Sequence, residues 1–351
     1  MRLLRLLGMA LAGSALAASI SGWAQNPNDG GKLKVYFIDV EGGQATLWVT
    51  PANQALLIDA GWGGNEGRDA DRIAAAVKDA GLKKIDYALI THYHTDHVGG
   101  VPQLLEKVPV GAFIDHGPNR EEDPSPEKEY ATYEKTLAAA NIRRILAKPG
   151  DVLPIVGMKA KVVSTDGKLI SRSLDGEARI NALCKAAETP APDTTENARS
   201  VGIAVSFGKL TILDLGDLTR DKEKELMCPE NKLGKVDVYV VSHHGWLQSS
   251  SPVLVNSIGA KVAIMNNGAR KGGSPSVINT IMKAPELETL WQLHFSEEGG
   301  EDNNADDDYI ANLEGPDKGN YLELIGKGDG SFDVMNSRTG QVKHYHQQAG
   351  H

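Results

Sequence analysis

Cysteine is nearly missing from this sequence: Cys184 and Cys228 are the only two in 351 residues. Neither lies beside a run of metal-binding residue types, so thiolate ligation is not expected. Two readings of the pair stay open. One is a disulfide in an oxidising compartment; the other is two separate thiols, since pairing needs Cα atoms within about 7 Å. Basic residues are also in short supply, 37 Lys and Arg against 46 Asp and Glu, for a net charge of −9. That sign argues against a general nucleic-acid binder, which needs a basic face to neutralise phosphates. The basic pairs Lys83-Lys84, Arg143-Arg144 and Arg270-Lys271 read as solvated surface pairs. Aromatic residues are few, at 5%. No repeat is evident, and beyond the N-terminus no apolar run is long enough to span a bilayer.

Residues 1–24 read as a secretory leader. Arg2 and Arg5 precede the apolar run Leu6–Ile20, and small residues follow at Gly22-Trp23-Ala24. This is the export pattern, with cleavage expected after Ala24 or, second, after Ala17. No lipid-attachment cysteine is present. Loss of Arg2 and Arg5 takes the net charge from −9 to −11. The mature chain is expected to be soluble and secreted or periplasmic. Residues 25–32 form a polar linker, and 33–348 a single domain with insertions near 119–135 and 166–196.

Within that domain, strand-like runs at Lys34–Val40, Gln44–Thr50, Ala55–Asp59 and Ile85–Ile90 are broken by glycine turns. Helical spacing covers Asp69–Ala80, with Gly81 as its stop, and a helix is expected from Val101 to Lys107. Residues 121–133 are acidic, polar and proline-containing, with helical character from Tyr130. Strands then follow at Val201–Phe207, Leu210–Leu215 and Val236–Val241. Strand and helix alternate to Leu293, and three short strands end the chain.

The most informative stretch is Thr91-His92-Tyr93-His94-Thr95-Asp96-His97, directly after the apolar run Ile85–Ile90. Four ligand-type side chains fall within six positions, followed by Gly99-Gly100. Imidazole nitrogens and a carboxylate oxygen are ligands that zinc and similar divalent metals accept. On the loop after a buried strand they stand where open-sheet proteins hold their sites.

This stretch resembles the signature of the metallo-β-lactamase superfamily, and other segments agree in order. They are Val35–Val40 with Glu41-Gly42-Gly43, Leu56–Gly61, Ile212-Leu213-Asp214-Leu215-Gly216-Asp217 and Val238–Ser242 with His243-His244-Gly245. The likeness covers roughly residues 33–270. It is nearest to the subgroup holding the hydrolase-like domain of the DNA-uptake competence protein and bacterial phosphorylcholine esterases. It implies an αββα sandwich of two mixed sheets with outer helices. It further implies that His92 and His94 hold a first metal, Asp96 and His97 a second, and that Asp217 bridges both. His244 is the better match for the remaining ligand, with His243 contacting phosphate or protonating a leaving group; the two can exchange roles. Where many members place a further histidine, this chain reads Thr195-Glu196-Asn197-Ala198-Arg199-Ser200. Asn197 or His116 is the candidate for that place. Asp39 and Asp59 are candidate carboxylates behind the imidazoles, and Trp62 and Trp246 candidates to stack on a ring or hold a quaternary ammonium.

The implied cofactor is Zn2+, one or two ions, with Mn2+ or Fe2+ also acceptable to these ligands. The implied activity is an exported hydrolase using a metal-bound hydroxide on a phosphodiester or related ester, with Asp96 and His243 in catalytic positions. Two other enzymatic readings are a β-lactam or lactone hydrolase and a DNA-uptake nuclease, the latter opposed by the acidic balance. A non-catalytic exported metal-binding protein of the same fold is the reading from a different class.

Overall fold

The computed structural model describes residues 31–177 and 179–346. The expected leader, most of the expected linker and the last five residues lie outside that range. Two sheets stack face to face. The first has nine strands, in spatial order Val342–Tyr345, Phe332–Asn336, Leu322–Gly326, Leu33–Phe37, Thr46–Val49, Ala55–Ile58, Ile85–Leu89, Val110–Asp115 and Arg143–Leu146. The second has eight: Ile310–Asn312, Thr289–His294, Val262–Met265, Val238–Val240, Leu210–Asp214, Gly202–Phe207, Lys159–Thr165 and Lys168–Leu169. Each mixes parallel and antiparallel pairs.

Strand composition explains the layering. Thr46–Val49, Ala55–Ile58 and Val262–Met265 are buried at every position, as strands covered on both faces must be. Phe332–Asn336 buries every second residue, leaving one face partly open. Between the sheets, Phe37, Trp48, Ile58 and Leu89 meet Val205, Ile212, Val240, Ile264 and Trp291. Each such side chain contributes about 1.5–3 kcal/mol on burial. Outside the first sheet pack helices Arg68–Asp79, Val101–Lys107 and Pro124–Ala139, through Ile73, Leu104 and Leu137. Outside the second lie Arg220–Met227, Pro252–Ile258 and Pro275–Met282, through Leu226, Leu254 and Ile278. This is the four-layer αββα arrangement that the resemblance implied.

One expectation changes. Residues 121–133 are helical from Pro124, not merely polar insertion. Asp123 caps the helix, its carboxylate accepting from Ser125 N at 2.9 Å, and prolines in the first turn start a helix rather than break one. Tyr133 and Leu137 bury against the first sheet, so this stretch belongs to the outer layer. The strands Val110–Asp115, Arg143–Leu146 and Lys159–Thr165 and the charged helix Arg220–Met227 were not legible from pattern. Residues 166–196 are largely irregular and are tied down by a disulfide, Cys184–Cys228.

Candidate metal centre

The loop after strand Ile85–Leu89 and the ends of Ala55–Ile58, Leu210–Asp214 and Val238–Val240 meet at one edge of the sandwich. At Ala55–Ile58 the chain turns through Asp59, whose left-handed φ of 58° aims its carboxylate into the interior. That carboxylate accepts from Thr91 N and Thr91 Oγ1 at 2.7 Å each, and from His97 Nδ1 at 2.7 Å. Burial pushes the Asp59 carboxyl up from its ordinary range, against the opposing His97 imidazole. The glycine turn locks the loop from the other side. Gln44 N donates to Asp96 O at 3.1 Å, and a Cβ on Gly43 would fall 2.5 Å from that oxygen. Gly216, at φ 56°, lets the strand carrying Asp214 swing Asp217 inward. His243 and His244 both adopt left-handed backbone, φ 55° and 54°, a conformation unusual for histidine that recurs at functional sites. His243 N donates to Gly216 O at 3.0 Å, which joins the two loops.

Four side chains converge: Asp96, His97, Asp217 and His244, with one ligand atom of each within 4.8 Å of the others. His97 Nε2 lies 3.1 Å from His244 Nε2, 3.2 Å from Asp96 Oδ2 and 3.2 Å from Asp217 Oδ2. His244 Nε2 lies 3.1 Å from Asp96 Oδ2 and 3.5 Å from Asp217 Oδ2. The outer nitrogens assign the tautomers. His97 Nδ1 donates to Asp59, and His244 Nδ1 donates to the Asn266 carbonyl at 3.1 Å. Each ring therefore aims its Nε2 inward, where a neutral imidazole would offer a lone pair to a metal. Burial alone would lower the His97 imidazole, but Asp217, Asp96 and Asp59 outweigh it and hold it well above its ordinary range, so without a metal that nitrogen carries a proton. A proton on His97 Nε2 balances the two carboxylates there, and a divalent cation can take its place among the same four ligand atoms. Tetrahedral bonds of about 2.0–2.2 Å place neighbouring ligands about 3.3 Å apart, so the residues present fit a divalent metal.

A second acceptor pair adjoins the first. His92 Nδ1 donates to Thr91 Oγ1 at 3.0 Å, and His94 Nε2 donates to Glu121 Oε2 at 3.2 Å. The remaining nitrogens, His92 Nε2 and His94 Nδ1, face each other at 3.0 Å, and Asp217 Oδ2 lies 3.8 Å from His92 Nε2. Burial holds the His92 imidazole well below its ordinary range, which keeps it neutral and ligand-competent. Burial alone would raise Asp217, but His97, His244 and His243 outweigh it and hold the carboxyl well below its usual range. Asp96 behaves alike, through His97 and Lys271.

The other candidates fall around this core. His243 is at its edge, Nε2 3.5 Å from Asp217 Oδ2 and Nδ1 3.3 Å from Ser249 Oγ. Burial pushes its imidazole down to about 4. His116 does not enter the cluster: its Nε2 pairs with Glu196 Oε2 at 2.8 Å and its ring lies against Tyr93. Asn197 carries a buried Oδ1 with no hydrogen-bond partner. Asp39 departs from expectation. It accepts from His294 Nε2 at 2.7 Å and Arg72 Nη1 at 2.9 Å, because its strand ends beside Thr289–His294 rather than beside the histidine loop. Trp62 and Trp246 flank the ammonium of Lys271, which is partly buried and donates to Asp96, not a solvated surface cation. Glu121 and Glu196 were missed as well. Glu196 accepts from Tyr93 N, Arg120 N and His116, and its own N–H donates to Glu121 at 2.7 Å. Both sit in irregular segments with no periodic signal to mark them.

A two-sheet sandwich with histidine and aspartate ligands on the loops of one edge defines a class of metal-binding α/β proteins. The family model described as Metallo-beta-lactamase superfamily matches residues 39–176. Over 188 residues it is 25% identical to ComE operon protein 3 of Bacillus subtilis (strain 168), covering 54% of this chain and 20% of that protein. Over 125 residues it is 38% identical to a hydroxyacylglutathione hydrolase of Xylella fastidiosa (strain M23), covering 34% of this chain and 37% of that one. It thus spans well under half the length of these curated relatives. Among solved structures, the metallo-beta-lactamase fold protein YhfI of Bacillus subtilis aligns with a TM-score of 0.45 at 11% identity, over 74% of this chain and 95% of that one.

Proposed function

We propose that this chain is a metal-dependent hydrolase whose substrate is a phosphodiester or a related ester. One observation carries the reading: four buried ligand atoms, from Asp96, His97, Asp217 and His244, converge within 4.8 Å of one another. His92 and His94 would hold a second ion beside them. A bound divalent cation supplies Lewis acidity and lowers the pKa of water. The protein's own part is positional. Asp59 and the Asn266 carbonyl fix the His97 and His244 rings, Glu121 fixes His94, and the cavity of about 310 Å³ lined by Trp62, His94, Asp96 and Glu121 admits substrate. Zinc is the proposed metal on the imidazole and carboxylate donor set. The diester preference rests on the subgroup resemblance. Hydrolysis of a carbon ester is the second reading, supported by likeness to a protein named for acylglutathione hydrolysis. Placement outside the cytoplasm is part of the reading, supported by the leader and by a disulfide, which persists in oxidising compartments.

Metal content and bis-p-nitrophenyl phosphate turnover, measured on the same chelator-free preparation, test it. About two ions per chain with turnover is the expected result, as in two-metal hydrolases. A single tightly held metal without turnover on phosphate or carbon esters would overturn it in favour of a metal-binding protein.

A further inference from the structure

Lys271 brings a positive charge directly onto the acceptor cluster. Its Nζ stands 5.1 Å from the Trp62 ring centroid and 5.3 Å from that of Trp246, between two aromatic faces. It donates to Gly42 O at 2.8 Å and to Asp96 Oδ2. The side chain is 20% exposed, and two of its neighbours, Trp62 and Asp96, line the cavity of about 310 Å³. Neighbouring backbone fixes the approach: Gly268 N donates to Lys271 O at 2.9 Å, and a Cβ on Gly42 would meet Lys271 Cβ at 2.8 Å.

Asp96 Oδ2 is also the oxygen that faces His97 Nε2 at 3.2 Å and His244 Nε2 at 3.1 Å. It is therefore the atom this carboxylate would present to a divalent ion. One oxygen holding both an ammonium and a divalent cation would set like charges a few ångströms apart inside a buried site, where repulsion is weakly screened. The ammonium has somewhere else to remain. Two indole faces and the Gly42 carbonyl hold a cation without help from Asp96, and they keep it beside Trp62, which lines the cavity.

We propose that Lys271 is a tethered cation that occupies Asp96 until a divalent ion displaces it and then, kept between Trp62 and Trp246, binds an anionic oxygen of the substrate. Metal entry and preparation of the anion site are thus one event. Substrates with a negative oxygen beside the scissile bond, as in a phosphodiester, are selected over neutral esters. Only the role toward substrate depends on the hydrolase reading; the competition for Asp96 does not.

Lys271→Met keeps the apolar stem between the tryptophans and removes the charge, Lys271→Gln removes it on a shorter stem, and Lys271→Arg keeps it. Zinc affinity by chelator competition on the mature chain should tighten about tenfold or more in both neutral variants, because a like charge leaves the site. It should stay near wild type in Lys271→Arg. Calorimetric binding of inorganic phosphate to zinc-loaded protein should weaken about tenfold in the neutral variants, the loss of a charge-assisted contact. Unchanged or weaker zinc binding in the neutral variants overturns the competition for Asp96. Unchanged phosphate affinity overturns the anion site. Neither readout needs turnover, so a wild-type protein inactive on diesters would sink the hydrolase reading while leaving both measurements decisive for Lys271.

Discussion

Replacing Asp59 by asparagine probes the lone-pair argument at its root. The Asp59 carboxylate accepts three hydrogen bonds, one on Oδ1 from Thr91 N and two on Oδ2 from Thr91 Oγ1 and His97 Nδ1, each 2.7 Å. Asparagine offers one oxygen and one NH2. With the NH2 toward Thr91 N, a buried backbone donor meets a donor, which costs about 1–3 kcal/mol. With the NH2 on the other side, the Thr91 hydroxyl rotates to accept, and a neutral His97, the form that binds a metal, relieves the clash only by moving its proton from Nδ1 to Nε2. That proton then points at Asp217 Oδ2 and His244 Nε2, 3.2 and 3.1 Å away, and the nitrogen is closed to a metal. Metal affinity should fall about 10–100-fold, the usual effect of removing a carboxylate behind a ligating histidine. The metal-free protein should lose about 1–3 kcal/mol of stability. Chelator competition reads the first and urea unfolding the second, while nitrogen-15 spectra of the imidazoles report the His97 tautomer. A folded Asp59→Asn protein that binds metal like wild type would refute the assignment of inward lone pairs.

Two further predictions concern stability. Glu223 is buried, and burial pushes its carboxyl up to about 7 despite the N–H groups of Ser250 and Ser251, each 2.7 Å away. The folded state therefore keeps a proton that the unfolded chain releases near 4.5. This contribution is full below about pH 4.5 and is lost as pH rises through about 7, a change of about 3 kcal/mol. Unfolding free energy measured from pH 5 to 8 should decline less steeply in Glu223→Gln, and an equal decline would contradict the carboxyl's raised value. The exported chain should begin at Gln25 and resist thiol alkylation, and reduction of Cys184–Cys228, which closes 44 residues, should destabilise it by about 3–4 kcal/mol. Ready alkylation of the unreduced native protein would contradict both the pairing and the compartment.

Local sequence carried the features whose cause is local. The apolar run Ile85–Ile90 followed by His92, His94, Asp96 and His97 places four ligand-type side chains at a strand end, because a buried strand must emerge at the sheet edge. Alternation and glycine stops marked most strands and the helix Arg68–Asp79, whose Gly81 takes the left-handed φ of 74°. Family resemblance, not periodicity, added Asp217 and His244. Partner choice across the fold was not legible. Lys271 meets Asp96 across 175 residues, His294 meets Asp39 across 255, and Glu196 meets His116 across 80. The same residue types in the same local pattern suit a solvated surface pair, a strand-end carboxylate or a loop ligand. Which of these each becomes depends on which strand ends meet when the two sheets stack. The chain alone thus determined the ligand loop and the layered fold. Only the tertiary structure decided which carboxylate stands behind His97, which histidine faces away, and that a lysine of the chain itself lies against Asp96.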